Sequence, residues 1–199
     1  MLISRVAEGD GGLALTPAVS LAEAKRHLAI YHAADDDLVT ALVAAAQAHM
    51  EGADGTGGVL GRAVSRHTLE LRLERFPLSR VMALPHPPLV SVTGITYLDV
   101  AGVLQTFAAS EYHVVADSMA GFVRLKATSA GWPATDIAPD AVRVRFVVGP
   151  AECPADLKAA LLLHVGHLYL NRDAVGESRQ VLPMAYKSLT DPHRTHGWI

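Results

Sequence analysis

The chain is poor in the residues that usually announce a chemistry. It has one cysteine, Cys153, in 199 residues, which excludes an internal disulfide and a cysteine-rich zinc site, and with them a disulfide-stapled secreted module. Charged residues make up 19% and aromatic residues 6%. The 17 basic side chains are outnumbered by 20 acidic ones, for a formal charge of -3, so no global field draws polyanions or anionic lipid and a histone-like or polybasic role is excluded. No run reaches the roughly 18 apolar residues of a membrane span, and MLISRVAEGDGG at the start lacks an apolar stretch of signal length. The expectation is a product of a reducing cytoplasm without membrane contact. What the chain does have is apolar bulk: half of its residues are hydrophobic, far from the composition of a disordered polymer. At about 150 residues per domain, one shared core is expected.

Residues 1–19 hold Gly9, Gly11, Gly12 and Pro17 with little periodicity, an arm that orders only against something else. Ser20 and Glu23 have capping-box spacing, and Leu21, Ala24, Leu28 and Tyr31 share a helical face, which predicts a short helix over 21–31. Asp35, Asp36 and Asp37 stand where a helix dipole favours carboxylates, ahead of Leu38, Val39, Leu42, Val43, Ala46 and Met50. That second helix runs to about Glu51, where GADGTGG (52–58) stops it. From Val64 the period becomes two, with Leu69, Leu71 and Leu73 alternating against Thr68, Glu70, Arg72 and Glu74. Further runs at 89–99, 111–117, 121–127 and 141–148 complete a five- or six-stranded, mostly antiparallel unit without helical crossovers. Pro154 opens a long helix to near Arg172, residues 182–189 form a short helical turn, and Pro192 ends it. The fold class is α+β: a small helical bundle with an inserted, mostly antiparallel β unit and an extended C-terminal tail. The layout is an arm (1–19), one domain (20–192) whose helices 20–51 and 154–175 enclose a β insertion (64–149), and a tail (193–199). Residues 1–60 carry 3 basic and 8 acidic side chains, against 9 and 7 in residues 61–150, a polarity that suits docking between copies.

No motif marks a reaction centre. His164 and His167 lie on one helical face and, with His49 or His113, define the rival reading of a small metal-dependent hydrolase. HVGH contains no carboxylate to act on metal-bound water, which favours histidines of a core or an interface. The triplet Asp35 to Asp37 lacks the glycine and distal glutamate of a calcium loop. The glycine loop at 52–58 follows a helix and precedes no Gly-Lys-Ser/Thr, unlike a phosphate loop. Cys153 sits beside Glu152 and Asp156, which raise a thiol pKa, and no Gly-x-Ser-x-Gly is present. The sequence predicts neither catalysis nor a cofactor.

Surfaces are more telling. Between Leu157 and Leu170 the only charged side chain is Lys158, so this helix is apolar nearly all round and needs cover on more than one side. Burial in one core fits, and so does contact between subunits through Leu42, Ala46, Leu161, Val165 and Leu168. Trp198 and Ile199 end the tail, and an indole there is costly in water and a typical interface anchor, so the tail either docks into a partner or folds back onto its own domain.

Several segments carry a resemblance. LPHPPLVSVTGITYLDVAGVLQTF (84–107), SEYHVVADSMAGFVRLKATSAGWP (110–133), AVRVRFVVGPAECP (141–154), ALLLHVGHLYLNRDAV (160–175) and LPMAYKSLTDP (182–192) resemble the head-tail connector family of tailed phages, which also occurs in defective prophages and gene transfer agents. SLAEAKRHLAIYHAADDDLVTALVAAAQAHME (20–51) is similar to that family's first two helices. The resemblance spans about residues 20–192. It implies a non-enzymatic head-completion adaptor at the head-tail junction of a virion or virion-like particle, made in the bacterial cytoplasm. Such an adaptor joins the portal ring after DNA packaging, forms a dodecameric ring and offers its far side to a stopper or tail-completion protein. The resemblance also implies a C-terminal segment that reaches into the portal, with Pro192, Arg194, Trp198 and Ile199 as contacts. Double-stranded DNA slides through such a lumen without sequence-specific grip; Arg62, Arg66 and Arg72, with Arg75 and Arg80, are candidates to line it, and the solvated face of a strand is the favoured alternative for all five. A stopper or tail-completion protein of similar build is the alternative within the same class.

Overall fold

The structure, a computed structural model, describes residues 2–5, 16–52, 58–171 and 184–195. Its helices are α1 (Leu21–His27), α2 (Asp36–Glu51), α3 (Ala155–Leu170) and α4 (Met184–Thr190), the last followed by a 3-10 turn at Asp191–His193. Its strands are β1 (Leu2–Arg5), β2 (His67–Leu73), β3 (Val81–Leu84), β4 (Leu89–Leu98), β5 (Leu104–Thr106), β6 (Tyr112–Ala116), β7 (Gly121–Leu125) and β8 (Val142–Val148). The α+β class and the order helix, helix, β insertion, helix are as expected. The β unit differs from expectation in being two antiparallel sheets, ordered β1-β2-β8-β4-β5 and β3-β7-β6. The extra strands β3 and β5 are four and three residues long, too short for a period-two signal to stand out. The arm supplies β1, with Leu2 opposite Arg72 and Arg5 opposite Leu69.

Local chemistry accounts for the helix ends. Ser20 Oγ accepts the Glu23 backbone N–H, while the Glu23 carboxylate accepts the Ser20 N–H at 2.9 Å, closing the expected capping box. The first helix stops four residues short of the predicted end because Ala29 turns to φ 55° and the Ile30 N–H returns to the Lys25 carbonyl. Ile30 is buried all the same.

Two apolar clusters result. In the helical layer Val39, Val43, Ala46 and Met50 of α2 meet Leu157, Ala160, Leu161 and Val165 of α3, with Tyr186 of α4 above them. In the β layer the inner faces of both sheets join: Leu69, Leu71, Ile95, Val144 and Phe146 from one, Met82, Leu84, Val123 and Leu125 from the other. Alternation along β8 decides which side chains go in; along β2 Leu69 and Leu71 face the core, but Thr68 and Glu70, expected on a solvated face, are buried as well. Residues 60–64 are the seam, since Leu60 and Val64 join the helical cluster and Ala63 the β cluster. At the same seam Gly149 has φ 93°, and a Cβ there would lie 1.9 Å from the Ser65 carbonyl oxygen; only glycine lets the chain leave β8 so close to the start of β2.

Candidate functional site

His164 projects from α3 into the helical cluster. Its ring meets that of His49 edge-on at 5.0 Å and that of Tyr186 at 5.4 Å. His164 Nδ1 and the Tyr186 hydroxyl are both buried and make no hydrogen bond. Burial pushes the His164 imidazole down to about 4, and His49 and His167 push the same way, so at neutral pH it packs as an uncharged aromatic ring. His113 lies exposed on β6, in the other layer. Among the described residues no three His, Cys, Asp or Glu side chains converge to hold a metal ion. Burial also pushes the Cys153 thiol up to about 11; Lys158 opposes this, while Glu51 and Asp156 reinforce it. Such a thiol is a poor nucleophile at neutral pH. Two of the three clustered aspartates are engaged within the chain: Asp35 accepts the Tyr169 hydroxyl at 2.6 Å and Asp36 pairs with Lys25. The glycine loop at 53–57 lies outside the described residues.

The C-terminal segment is more strongly built than its sequence indicates. The His193 ring pairs with Asp156 at the start of α3 and holds that carboxyl below its ordinary range. Arg194 Nε donates to the Val59 carbonyl at 3.1 Å, the Thr195 N–H to the Leu60 carbonyl at 2.8 Å, and Thr195 Oγ1 to the Gly61 carbonyl at 2.7 Å. A Cβ at Gly61 would come within 2.6 Å of Thr195 Oγ1, so the missing side chain there is what seats Thr195. The Arg194 and Thr195 contacts join positions about 135 apart, and no periodicity announces them. Of the four side chains expected at the portal, Pro192 and Arg194 are exposed on this tethered segment; Trp198 and Ile199 lie outside the described residues.

The other candidates fall in different places. Ala46, Leu161 and Val165, expected at a contact between copies, are buried in the chain's own helical cluster; Leu42 and Leu168 are only partly covered at its margin. α2 and α3 therefore spend most of their apolar surface on each other. Arg62 is withdrawn into the seam, where its Nε makes no hydrogen bond and Nη1 reaches only the Met119 thioether at 3.9 Å. Burial lowers its pKa, with Asp156 acting the other way. Arg66 is exposed just ahead of β2, and Arg72 stands on the outer face of β2, bonded to Glu70. The three arginines do not form one patch.

Comparison with solved structures gives the arrangement a context. A chain of the "Neck of empty GTA particle computed with C6 symmetry" superposes with a TM-score of 0.75 at 23% identity, covering 100% of this chain and 98% of that one. The fold is shared from end to end. A chain of the "Neck of native GTA particle computed with C12 symmetry" gives 0.70 at 22% identity, and one from the "Virion of native gene transfer agent (GTA) particle" gives 0.71 at 23%, each again covering 100% of this chain and 98% of that one. No family model matches the sequence, and no curated protein matches it. At these identities the likeness is one of fold.

Proposed function

We propose that the chain is a structural head-tail adaptor of a gene-transfer-agent or phage particle, without catalytic activity. It joins the portal ring after DNA packaging, closes into a dodecameric ring and presents its far side to a stopper or tail-completion protein. The observation that carries this reading is the likeness to neck chains over the whole length of both partners; a shared core alone would leave the insertion or the C-terminal segment unmatched. The packing supports it too, since His164 is buried as an uncharged ring and burial raises the Cys153 thiol. Contacts between copies fall on Leu42 and Leu168, which keep accessible surface, and not on Ala46, Leu161 and Val165, already covered. Cyclic closure makes such contacts heterologous, one face meeting a different face of the next copy.

The portal contact is assigned to Pro192, Arg194, Trp198 and Ile199. The bonds of His193, Arg194 and Thr195 to the body fix where the last four residues leave it, beside the Leu60–Gly61 turn. Deleting residues 196–199 removes Trp198 and Ile199 while keeping every described tether. The truncated chain is expected to fold with an unchanged thermal midpoint and to lose retention on assembled portal rings in a pull-down. Full incorporation of the truncated chain into complete particles would overturn the assignment. Copy number per particle separates the adaptor from a stopper or tail-completion protein.

A further inference from the structure

The three-stranded sheet has two edges, β3 and β6, and only one of them is closed. The Leu125 N–H bonds to the Arg80 carbonyl at 2.9 Å, so alternation turns the backbone of Val81 away from β7. Ser79 Oγ takes up both of its groups, donating to the Val81 carbonyl at 2.6 Å and accepting the Val81 N–H at 3.4 Å. Among the described residues β6 has no such cover, and no strand lies beyond it. The bonds from the Lys126 N–H to the Glu111 carbonyl and from the Asp117 N–H to the Ala120 carbonyl fix the phase at its two ends. Given the register, with Val114 opposite Val123 and Val115 opposite Phe122, His113 and Val115 bond to β7. The N–H and C=O of Tyr112, Val114 and Ala116 therefore point to the open edge. Natural edges are blunted by lysine, proline or a bulge; YHVVA has neither residue, and its register with β7 is unbroken. Val114 and Val115 stay 39% and 37% exposed.

The outer face beside this edge is cationic. Arg124 stands in one row with Val81 of β3 and His113 of β6, and Lys126 follows on the same face. Arg80 is held by the carbonyls of Lys126 and Ser129 at 2.5 and 3.1 Å, bonds that fix a guanidinium without neutralising it. These four side chains wall a hollow of about 420 Å³ that no carboxylate lines. Glu111, opposite Lys126, is not among its walls. Among the described residues Arg80, Arg124 and Lys126 form no ion pair.

From the open edge and the unpaired cations together we infer that β6 takes an added strand from another protein, an extended segment with carboxylates on its outward positions. In strand addition the main chain supplies the bonds and alternate side chains supply the selectivity. A residue opposite Val114 covers that valine, and a glutamate opposite His113 faces the hollow. A second copy fits worse. The same edge on both copies makes a two-fold contact that closes at two and brings two cationic rims together, while the β3 edge of a second copy is already closed by Ser79. Duplex DNA would leave the backbone groups of β6 and both valines uncovered. The inference adds to the adaptor reading and does not depend on it.

The probe is a short fluorescein-labelled peptide of alternating valine and glutamate, into which the full chain is titrated with anisotropy as readout. It should bind, and two altered peptides should bind at least about 10-fold more weakly: one with lysine in place of glutamate, and one N-methylated throughout, which has no donors for the edge. Arg124→Gln combined with Lys126→Gln should weaken binding of the glutamate peptide about 10-fold. Val114→Pro removes an N–H that β7 does not use, a place where an edge strand tolerates proline. That variant should keep its circular dichroism and lose the peptide; the N-methylated peptide puts the same question to the unaltered chain. No binding of the glutamate peptide up to about 1 mM, equal binding of the lysine or N-methylated peptide, or a folded Val114→Pro chain that binds as wild type would each overturn the inference. Displacement of the peptide by equimolar duplex DNA would assign the face to nucleic acid, and a sedimenting dimer that Val114→Pro abolishes would assign the edge to a second copy; either result overturns it as well. The portal does not enter these measurements, so the two readings fail separately.

Discussion

In the β layer Phe76 stacks on Trp132 at 4.8 Å and 8°, Phe107 lies 5.3 Å from the same indole, and the Trp132 N–H is satisfied by the Ser79 carbonyl at 2.8 Å. In the helical layer and at the seam, by contrast, Arg62 Nε, His164 Nδ1 and the Tyr186 hydroxyl are buried without a hydrogen bond. A charged network also runs through that half: Gln47 Nε2 donates to Glu51 and Ser65 at 2.9 Å each, and Glu51 accepts the Val64 N–H at 2.8 Å. The core of the β layer is held by apolar and aromatic packing, which is insensitive to pH. Burial pushes the Glu70 carboxyl on the outer face of β2 up, but Arg145 and Arg72 hold it below its ordinary value. The helical layer depends on groups whose charge state has to be right. Unsatisfied buried polar groups are costly, so the half carrying the C-terminal tether is the half that conditions can loosen.

The largest expected effect comes from opening the tighter core. Phe76→Ala removes a ring that packs on Tyr97, Phe107 and Trp132, and a cavity of that kind costs about 3–5 kcal/mol. Denaturant unfolding followed by Trp132 emission measures it. A loss under about 1 kcal/mol would mean that the β layer relaxes as readily as the helical one, and the contrast would fall.

The second effect separates the layers by pH. The unfolded His164 titrates near 6.5 and the folded group at about 4. Its stabilising contribution is therefore complete above the unfolded value and is lost as pH falls through the folded one. Between pH 7 and 4.5 the wild type should lose about 2–3 kcal/mol from this group. His164→Leu should flatten that interval, whereas Phe76→Ala should shift the whole curve down without changing its slope. Urea midpoints at half-unit pH steps decide it; equal slopes in wild type and His164→Leu would remove the histidine from the account.

These contrasts also show what a sequence can and cannot reveal. The capping box at Ser20, the extent of α2 and the alternation of β2 and β8 are local patterns, and they were legible because each depends on neighbours a few positions away. The partition into two sheets was not, since strand partners are chosen across the chain: β2 and β4 both flank β8. Arg62 looked like one more surface cation because nothing near it shows that residues 60–64 pass between two cores. His164 and His167 share a helical face by spacing, yet only His164 meets the His49 and Tyr186 rings from elements far away in sequence. Arg143 and Arg145 were legible in principle, as the outward positions of VRVRFVV, but the buried Glu70 that orders one of them lies on another strand.

The smallest effect tests whether α1 belongs energetically to the helical layer or only leans on it. Ser20→Ala removes the Oγ that accepts the Glu23 N–H, a cap loss of about 1 kcal/mol. Glu23 does two things at once: it accepts the Ser20 N–H and it binds Lys158 of α3 at 2.9 Å. Lys158 first, and then Ser20, hold its carboxyl down to about 2, so this support is present above the ordinary carboxylate range and fades as pH drops through about 2. Glu23→Gln keeps a cap acceptor and loses the charge, so it should cost less than Ser20→Ala at neutral pH and nothing extra in acid. If the two substitutions add when combined, capping and the bridge to α3 act independently, and α1 is a lid resting on the core. If they do not add, the cap orders the carboxylate for Lys158, and Glu23 couples the start of the first helix to α3 beside the apolar burial of Ala24.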